Sequence, residues 1–234
     1  MEIFFCPEII NGILILSEEE SCHCVKVLRH SEGDEISLID GVGNFFTAKI
    51  TSAHKSHCAF EIIKKWKEEN SFNSKIHLAI APTKNIERIE WLLEKAAEIG
   101  VSEISFIECE HSERRKINME RLNRICVSAM KQSMRATLPK LNEIIPIKEF
   151  LNHNSKIKNQ KFICHLGQNK THLSSVYEKG IDATILIGPE GDFSNVELKI
   201  AVNSGFIEVI LGTNRLRTET AALVAIVQLN SLYQ

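Results

Sequence analysis

The sequence has no uninterrupted apolar run of about 18 residues, so nothing in it reads as a membrane-spanning helix. Its start, Met1-Glu2-Ile3-Phe4-Phe5-Cys6-Pro7, lacks both a basic segment and a long apolar one, and does not read as a secretion signal. Seven cysteines, an odd number without regular spacing, give no disulfide framework, and free thiols in a cytoplasm are expected. Neither G-x-G-x-x-G nor a phosphate-gripping P-loop is present, which removes the commonest dinucleotide and nucleoside triphosphate grips. Internal repeats and low-complexity tracts are missing too. Cys22-His23-Cys24 with His30 suggests metal ligation at first sight. On a helix over 18–28, however, Cys22 and Cys24 point about 200° apart, so no metal is expected. Trp66 and Trp91 are expected to pack or lie partly exposed rather than to stack on bases.

What is present is an ordinary globular composition, 44% hydrophobic and 25% charged over 234 residues, enough for two unequal domains. The net charge of −2 conceals a split. Residues 1–70 hold 7 Lys/Arg against 12 Asp/Glu, and the rest hold 21 against 18. The stretch 111–140 alone holds 8 basic residues against 2 acidic. A local basic surface matters more to phosphate binding than the total, although a solvated helix face gives the same composition.

Periodicity divides the chain at the same place. Before residue 70, short strands are expected at 3–5, 13–16, 35–39, 46–50 and 59–63, with turns at Asp40-Gly41 and Gly43-Asn44 and one helix capped by Ser17 and Glu20. This pattern predicts a small β-barrel over 1–70, followed by a polar linker near 67–74. From 74 to 234, strands at 76–81, 103–107, 161–165, 183–187 and 207–211 alternate with helices at 85–98, 118–132 and 218–232. A further helix between the last two strands opens with a Ser194/Glu197 capping box. Such alternation predicts an α/β domain with a parallel sheet covered on both faces.

Two loops stand out. Ile187-Gly188-Pro189-Glu190-Gly191 leaves a buried strand and leads into a capped helix, and Leu211-Gly212 leaves the next strand before Arg215-Leu216-Arg217-Thr218-Glu219-Thr220-Ala221. Glycines at the carboxyl ends of parallel strands let backbone amides approach a ligand. Either loop alone is an ordinary turn; two after neighbouring strands point to a small-molecule pocket.

Gly188-Pro189-Glu190-Gly191-Asp192-Phe193-Ser194 with Leu211-Gly212 and Leu216-Arg217-Thr218-Glu219-Thr220-Ala221 resembles the RsmE family, whose members methylate N3 of a uridine in 16S (small-subunit) ribosomal RNA. Leu28-Arg29-His30, Gly33-Asp34 and Asp40-Gly41 are similar to the family's PUA-like N-terminal domain. Glu94 to Val101 is similar to its "K-A-x-E-L-G-V" helix, and Gln132, Ser133 and Arg135 match positions of its "E-Q-S-x-R" segment. Three departures are visible. Asp192 stands where the family usually has a second glycine, Lys131 where it has glutamate, and Asn214-Arg215-Leu216-Arg217 where it has "R-I-L-R".

The resemblance implies a SPOUT-type α/β domain with a C-terminal trefoil knot, preceded by the PUA-like, RNA-binding barrel. It implies S-adenosyl-L-methionine held by Leu166, Gly167, Ile187, Gly188, Pro189, Glu190, Gly191, Leu211, Gly212, Leu216, Thr220 and Ala221. It also implies a homodimer, for which the apolar helix from Ala221 to Leu232 is a candidate interface. Methylating a neutral imide nitrogen requires taking its proton and stabilising the anion left behind. Arg217, permanently charged and fork-shaped, suits the second task, and Glu219 is the candidate for the first or merely complements the helix dipole. Lys26, Arg29, His30, Arg114, Arg115, Lys116, Lys131, Arg135 and Lys140 are the candidate RNA contacts. A knotted methyltransferase acting on a ribose 2′-oxygen or a tRNA base, and a non-catalytic RNA-binding protein, remain as alternatives.

Overall fold

A computed structural model describes residues 2–68, 74–155, 157–167 and 171–231, with only the backbone of Ser231. Most of the expected linker, and Leu232, lie outside the described residues. The chain divides into two compact units, one formed by Met1–Asn70 with Val127–Leu138, the other by Ser71–Cys126 with Pro139–Gln234. The contiguous division expected from periodicity does not contain the return of 127–138.

The first unit carries β1 (Ile3–Phe5), α1 (Glu18–Cys22), β2 (Glu35–Ile39), β3 (Asn44–Ser52) and β4 (Ala59–Lys67). The sheet runs β1-β2-β3-β4, with β1 parallel to β2 and the other pairs antiparallel. In these pairings β1 and β4 are the outermost strands, and the expected strand at 13–16 lies along the start of β4: Ile15 bridges Ala59, Leu16 N donates to Cys58 O at 2.9 Å and Phe60 N to Leu14 O at 3.1 Å. β1 ends after three residues, and Pro7 follows it in a 3-10 turn. Phe4, Leu16, Cys24, Leu38, Phe46, Ile50 and Phe60 fill its core. Ser17 caps α1 by accepting from Glu20 N at 3.2 Å. The reciprocal half of the expected capping box is absent, because the Glu20 carboxylate turns to the Phe5 amide (3.2 Å) and to Lys131 Nζ (2.6 Å). The helix then continues as a π turn over His23–Val27.

The second unit carries β5 (Ile76–Ile80), α2 (Ile86–Ile99), β6 (Glu103–Glu108), α3 (Met119–Gln132, of which only the first part belongs here), β7 (Lys140–Pro146), α4 (Ile147–Asn154), β8 (Gln160–Cys164), α5 (Leu173–Val176), β9 (Ala183–Ile187), α6 (Asn195–Asn203), β10 (Ile207–Val209) and α7 (Thr218–Ser231). All six strands are parallel, in the order β10-β8-β9-β5-β6-β7. Every residue of β9 is buried, as a strand covered on both faces requires. α2 starts at Asn85, whose side chain accepts from Glu87 N, and stops at Gly100 in the left-handed conformation. Its Ile89, Leu92, Leu93 and Ala96 are buried, and α7 packs against it through a stripe including Ala222, Ala225, Ile226 and Leu229. β7 and α4 were not expected. Among the described residues no helix is long and apolar enough to cross a membrane.

Within the first unit, Met130 and Ala136 of the returning segment pack with Ile3 and Ile39. Gly43 N donates to Ala136 O and Leu138 N to Gly41 O, both at 2.9 Å.

Candidate active site

The ends of β8, β9 and β10 meet at a cavity of about 330 Å³ in the second unit. The β8 end contributes Cys164, His165 and Leu166; the β9 end contributes Ile187, Gly188, Pro189, Glu190 and Asp192. Val209, Ile210, Leu211 and Gly212 follow from β10, then Asn214 through Thr218, and Ala221 from α7. The walls are mainly apolar, with charged groups at a few points, as small-ligand sites are.

The loop after β9 is tied on three sides. His111 Nδ1 donates to the carbonyls of Gly191 (3.1 Å) and Asp192 (3.0 Å), and the Asp192 bond is the main reason its pKa is raised. Glu197 completes the α6 capping box, accepting from Ser194 N at 2.8 Å, and its other oxygen accepts from Glu110 N at 2.8 Å. Asp192 takes a left-handed backbone (φ 63°), and its carboxylate accepts from Phe193 N (2.8 Å) and from Leu166 N across the cavity (3.2 Å). Position 192 needs a conformation that glycine adopts freely. The aspartate present instead adds a tie between two loops. His165 is fixed as well: Nδ1 accepts from Gly167 N (3.0 Å), so Nε2 is the nitrogen that donates to Glu208 (2.9 Å).

Of the expected cofactor residues, Leu166, Ile187, Gly188, Pro189, Glu190, Leu211, Gly212, Leu216 and Ala221 line the cavity, as does Arg217. Gly167, Gly191 and Thr220 are not in its wall. A Cβ at Gly167 would clash with the His165 ring, and one at Gly191 would meet His111 at 3.0 Å, so both glycines serve loop packing. At Gly212, which lines the cavity, a Cβ would have nothing within 4 Å, so packing does not demand glycine there. Glu219 also lies outside the wall; it is 6% exposed, with Oε1 3.9 Å from Arg88 Nε. His165 and Asp192 were missed as site residues. Their signal was position, immediately after two buried strands.

The candidate RNA cations divide. Arg114 donates to the carbonyls of Thr83 (3.0 Å) and Lys84 (2.6 Å), clamping the loop before α2. Lys131 is held by Glu20, and Arg135 lies 3.5 Å from Glu68, all four side chains being mostly buried. Arg115 and Lys140 pair with Glu108 and Glu103 but are largely exposed, and His30 lies 3.4 Å from Asp34. Lys26, Arg29 and Lys116 are exposed. A cluster not foreseen lies on β4, where Lys64, Lys65 and Lys67 flank Trp66, which is 40% exposed, stacked on Phe45 and approached by Lys64. Among the described residues no group of three His, Cys, Asp or Glu is placed to hold a metal, and all seven cysteines are free.

A small-ligand cavity built on strand ends of a parallel sheet, in a chain that also carries a small β unit, matches a known class. The model of the RNA methyltransferase domain matches residues 69–230, and that of the RNA methyltransferase PUA domain matches residues 16–63. The ribosomal RNA small subunit methyltransferase E of Buchnera aphidicola is 31% identical over 96% of this chain and 90% of its own. The crystal structure described as a probable rRNA-methyltransferase from Porphyromonas gingivalis superposes over the full length of both chains, with a TM-score of 0.92 and 41% identity. A ribosomal RNA small subunit methyltransferase E from Neisseria gonorrhoeae, bound to S-adenosyl methionine, gives a TM-score of 0.83 and 30% identity over 99% of this chain and 98% of the other. The chain belongs to the ribosomal RNA small subunit methyltransferase E family of RNA methyltransferases.

Proposed function

We propose that the protein methylates N3 of a specific uridine in 16S ribosomal RNA with S-adenosyl-L-methionine, as a step of ribosome biogenesis. The observation that carries this reading is the cavity at the three strand ends, with Arg217 on its wall. Its volume falls within the range of small-ligand sites, and Gly212 in its wall brings no side chain into it. Leu166, Ile187, Leu211, Leu216 and Ala221 would flank the cofactor, with Gly188 and Gly212 beside them. When bound, the cofactor supplies an electrophilic methyl group on a sulfonium. The chain has the tasks of aligning the base, stabilising its anion and excluding water. Arg217 serves the second, since its guanidinium keeps its charge and offers a fork of donors to a carbonyl oxygen.

The convergence of the loops after β8, β9 and β10, with α7 following, supports a trefoil knot. α7 is apolar around its whole circumference, and Val227 is 45% exposed, which supports a homodimer through this helix. The substrate is the rRNA itself or the small subunit carrying it. Phosphate contacts fall to the exposed cations Lys26, Arg29, Arg115, Lys116 and Lys140 rather than to Lys131 and Arg135, which already hold carboxylates. Arg217→Ala tests the reading: methyl transfer should fall by about 100-fold or more while cofactor affinity stays within about threefold, and near-normal turnover would remove the role.

A further inference from the structure

Beside the cofactor cavity, at the start of α2, lies an open cleft of about 450 Å³ lined by Lys84, Asn85, Arg88, Glu113 and Glu190. Glu190 belongs to the walls of both. The Lys84 main-chain N–H donates to Glu190 Oε1 at 3.0 Å, which orients the carboxylate and leaves its second oxygen for another partner. Lys84 Nζ reaches Glu113 at 2.8 Å, but both side chains are mostly exposed, so this pair is weak and exchangeable. Arg88 is backed differently. Its Nε faces the buried carboxylate of Glu219 at 3.9 Å, and Glu219 Oε2 has no hydrogen-bond partner among the described residues. A buried carboxylate with an unfilled oxygen is costly, and here it lies directly behind a cation that faces the cleft.

The lining charges balance, two cations against two carboxylates, which suits a neutral polar ligand better than a phosphate. The imide edge of uracil presents acceptor, donor, acceptor: O2, N3–H, O4. Lys84 and Arg88 offer donors, and Glu190 offers an acceptor on the side shared with the cofactor cavity. Cytosine carries no hydrogen on N3 and would set a lone pair against the carboxylate.

We propose that this cleft receives the target uracil, with Arg88, positioned by Glu219, donating to a carbonyl oxygen and Glu190 accepting the N3 proton. The inference rests on the reading of the chain as a uridine N3 methyltransferase. The N3–H bond breaks, its proton passes to the Glu190 carboxylate and its electron pair stays on N3. N3 then bonds to the methyl carbon as the carbon–sulfur bond breaks, the electrons of that bond leaving on a neutral thioether. Glu219 is accordingly a positioning residue, and the proton acceptor lies in the other loop.

The test uses the full chain with Arg88→Ala, Arg88→Lys and Glu190→Gln. Cofactor binding is measured by calorimetry, and single-turnover transfer of labelled methyl is followed both into 16S rRNA transcribed with uridine or with 5-fluorouridine, whose fluorine acidifies N3–H, and into small subunits reconstituted on those transcripts. Glu190→Gln should slow transfer to uridine by about 100-fold or more, and 5-fluorouridine should recover about tenfold of that loss. Arg88→Ala should lose a similar factor with cofactor affinity within about threefold, and Arg88→Lys should restore part of it. Wild-type rates in Arg88→Ala or Glu190→Gln, or a Glu190→Gln defect that 5-fluorouridine leaves unchanged, would overturn the proposal. Wild-type protein that transfers no methyl to uridine N3 would instead overturn the activity on which it rests.

Discussion

Replacing Asp192 by Ala and by Gly separates two contributions that one side chain combines. Asp192 holds a left-handed backbone and accepts from the amides of Leu166 (3.2 Å) and Phe193 (2.8 Å). Each bond contributes about 1 kcal/mol net at a partly exposed site, so both substitutions lose about 2 kcal/mol. Alanine must in addition keep a left-handed backbone without a local hydrogen bond, which costs about 1 kcal/mol more, whereas glycine does not. Urea unfolding in a Trp66→Phe background, where Trp91 reports on the second unit, should therefore order wild type above Asp192→Gly above Asp192→Ala. The last gap should be about 1 kcal/mol, roughly a fivefold change in the folding constant. Untying the Leu166 loop should also weaken cofactor binding in both variants by a similar factor. Equal stabilities of the two variants would refute the strain argument, and a Gly variant with wild-type stability and affinity would refute the tie.

Gly212→Val should weaken cofactor binding by about tenfold or more with little change in stability, since its side chain would enter space the ligand needs; unchanged affinity by calorimetry would move the ligand elsewhere. Burial raises the thiols of Cys6 to about 11 and of Cys24 and Cys126 to about 12, and pushes Cys109 and Cys164 up as well. These groups stay protonated when folded and ionise first when unfolded, so their contribution is complete below about pH 8.5 and declines as pH rises through the folded values. Stability should thus fall above about pH 9, and Cys126→Ala should make that fall shallower; a flat profile to about pH 10.5 would contradict it. Charge removal at Arg115 and Lys116 should flatten the salt dependence of RNA binding by about one unit for each phosphate no longer neutralised, whereas Lys131→Met should leave the slope unchanged. The reverse pattern would show that the Glu20 pair opens to bind RNA.

Much of the fold was legible because it is written locally. The Ser194/Glu197 box, the Asn85 and Gly100 ends of α2 and the all-apolar β9 each follow from a few neighbouring residues. β7 was not legible, since a half-exposed edge strand has no alternation to read, and α4 begins at Pro146 without a side-chain cap. The return of 127–138 to the first unit depends on pairings with Gly41 and Gly43, nearly a hundred residues away in the chain. At the site, glycine loops and strand ends announced the cavity and most of its wall. The partners of Glu20, Arg114 and Lys131 were not legible because a charge in sequence does not disclose its partner. Glu20 resembled half of a capping box, and its carboxylate holds Lys131 instead. Arg114 resembled a free cation, and it clamps two carbonyls.

The central claim is tested most directly by incubating the purified protein with S-adenosyl-L-methionine and small ribosomal subunits from a strain lacking its gene, then digesting the 16S rRNA for mass spectrometry. One new N3-methyluridine is expected at a single position, absent when Arg217→Ala replaces the wild type. A methyl group on a ribose oxygen or another base, or no methyl at all, would contradict the claim.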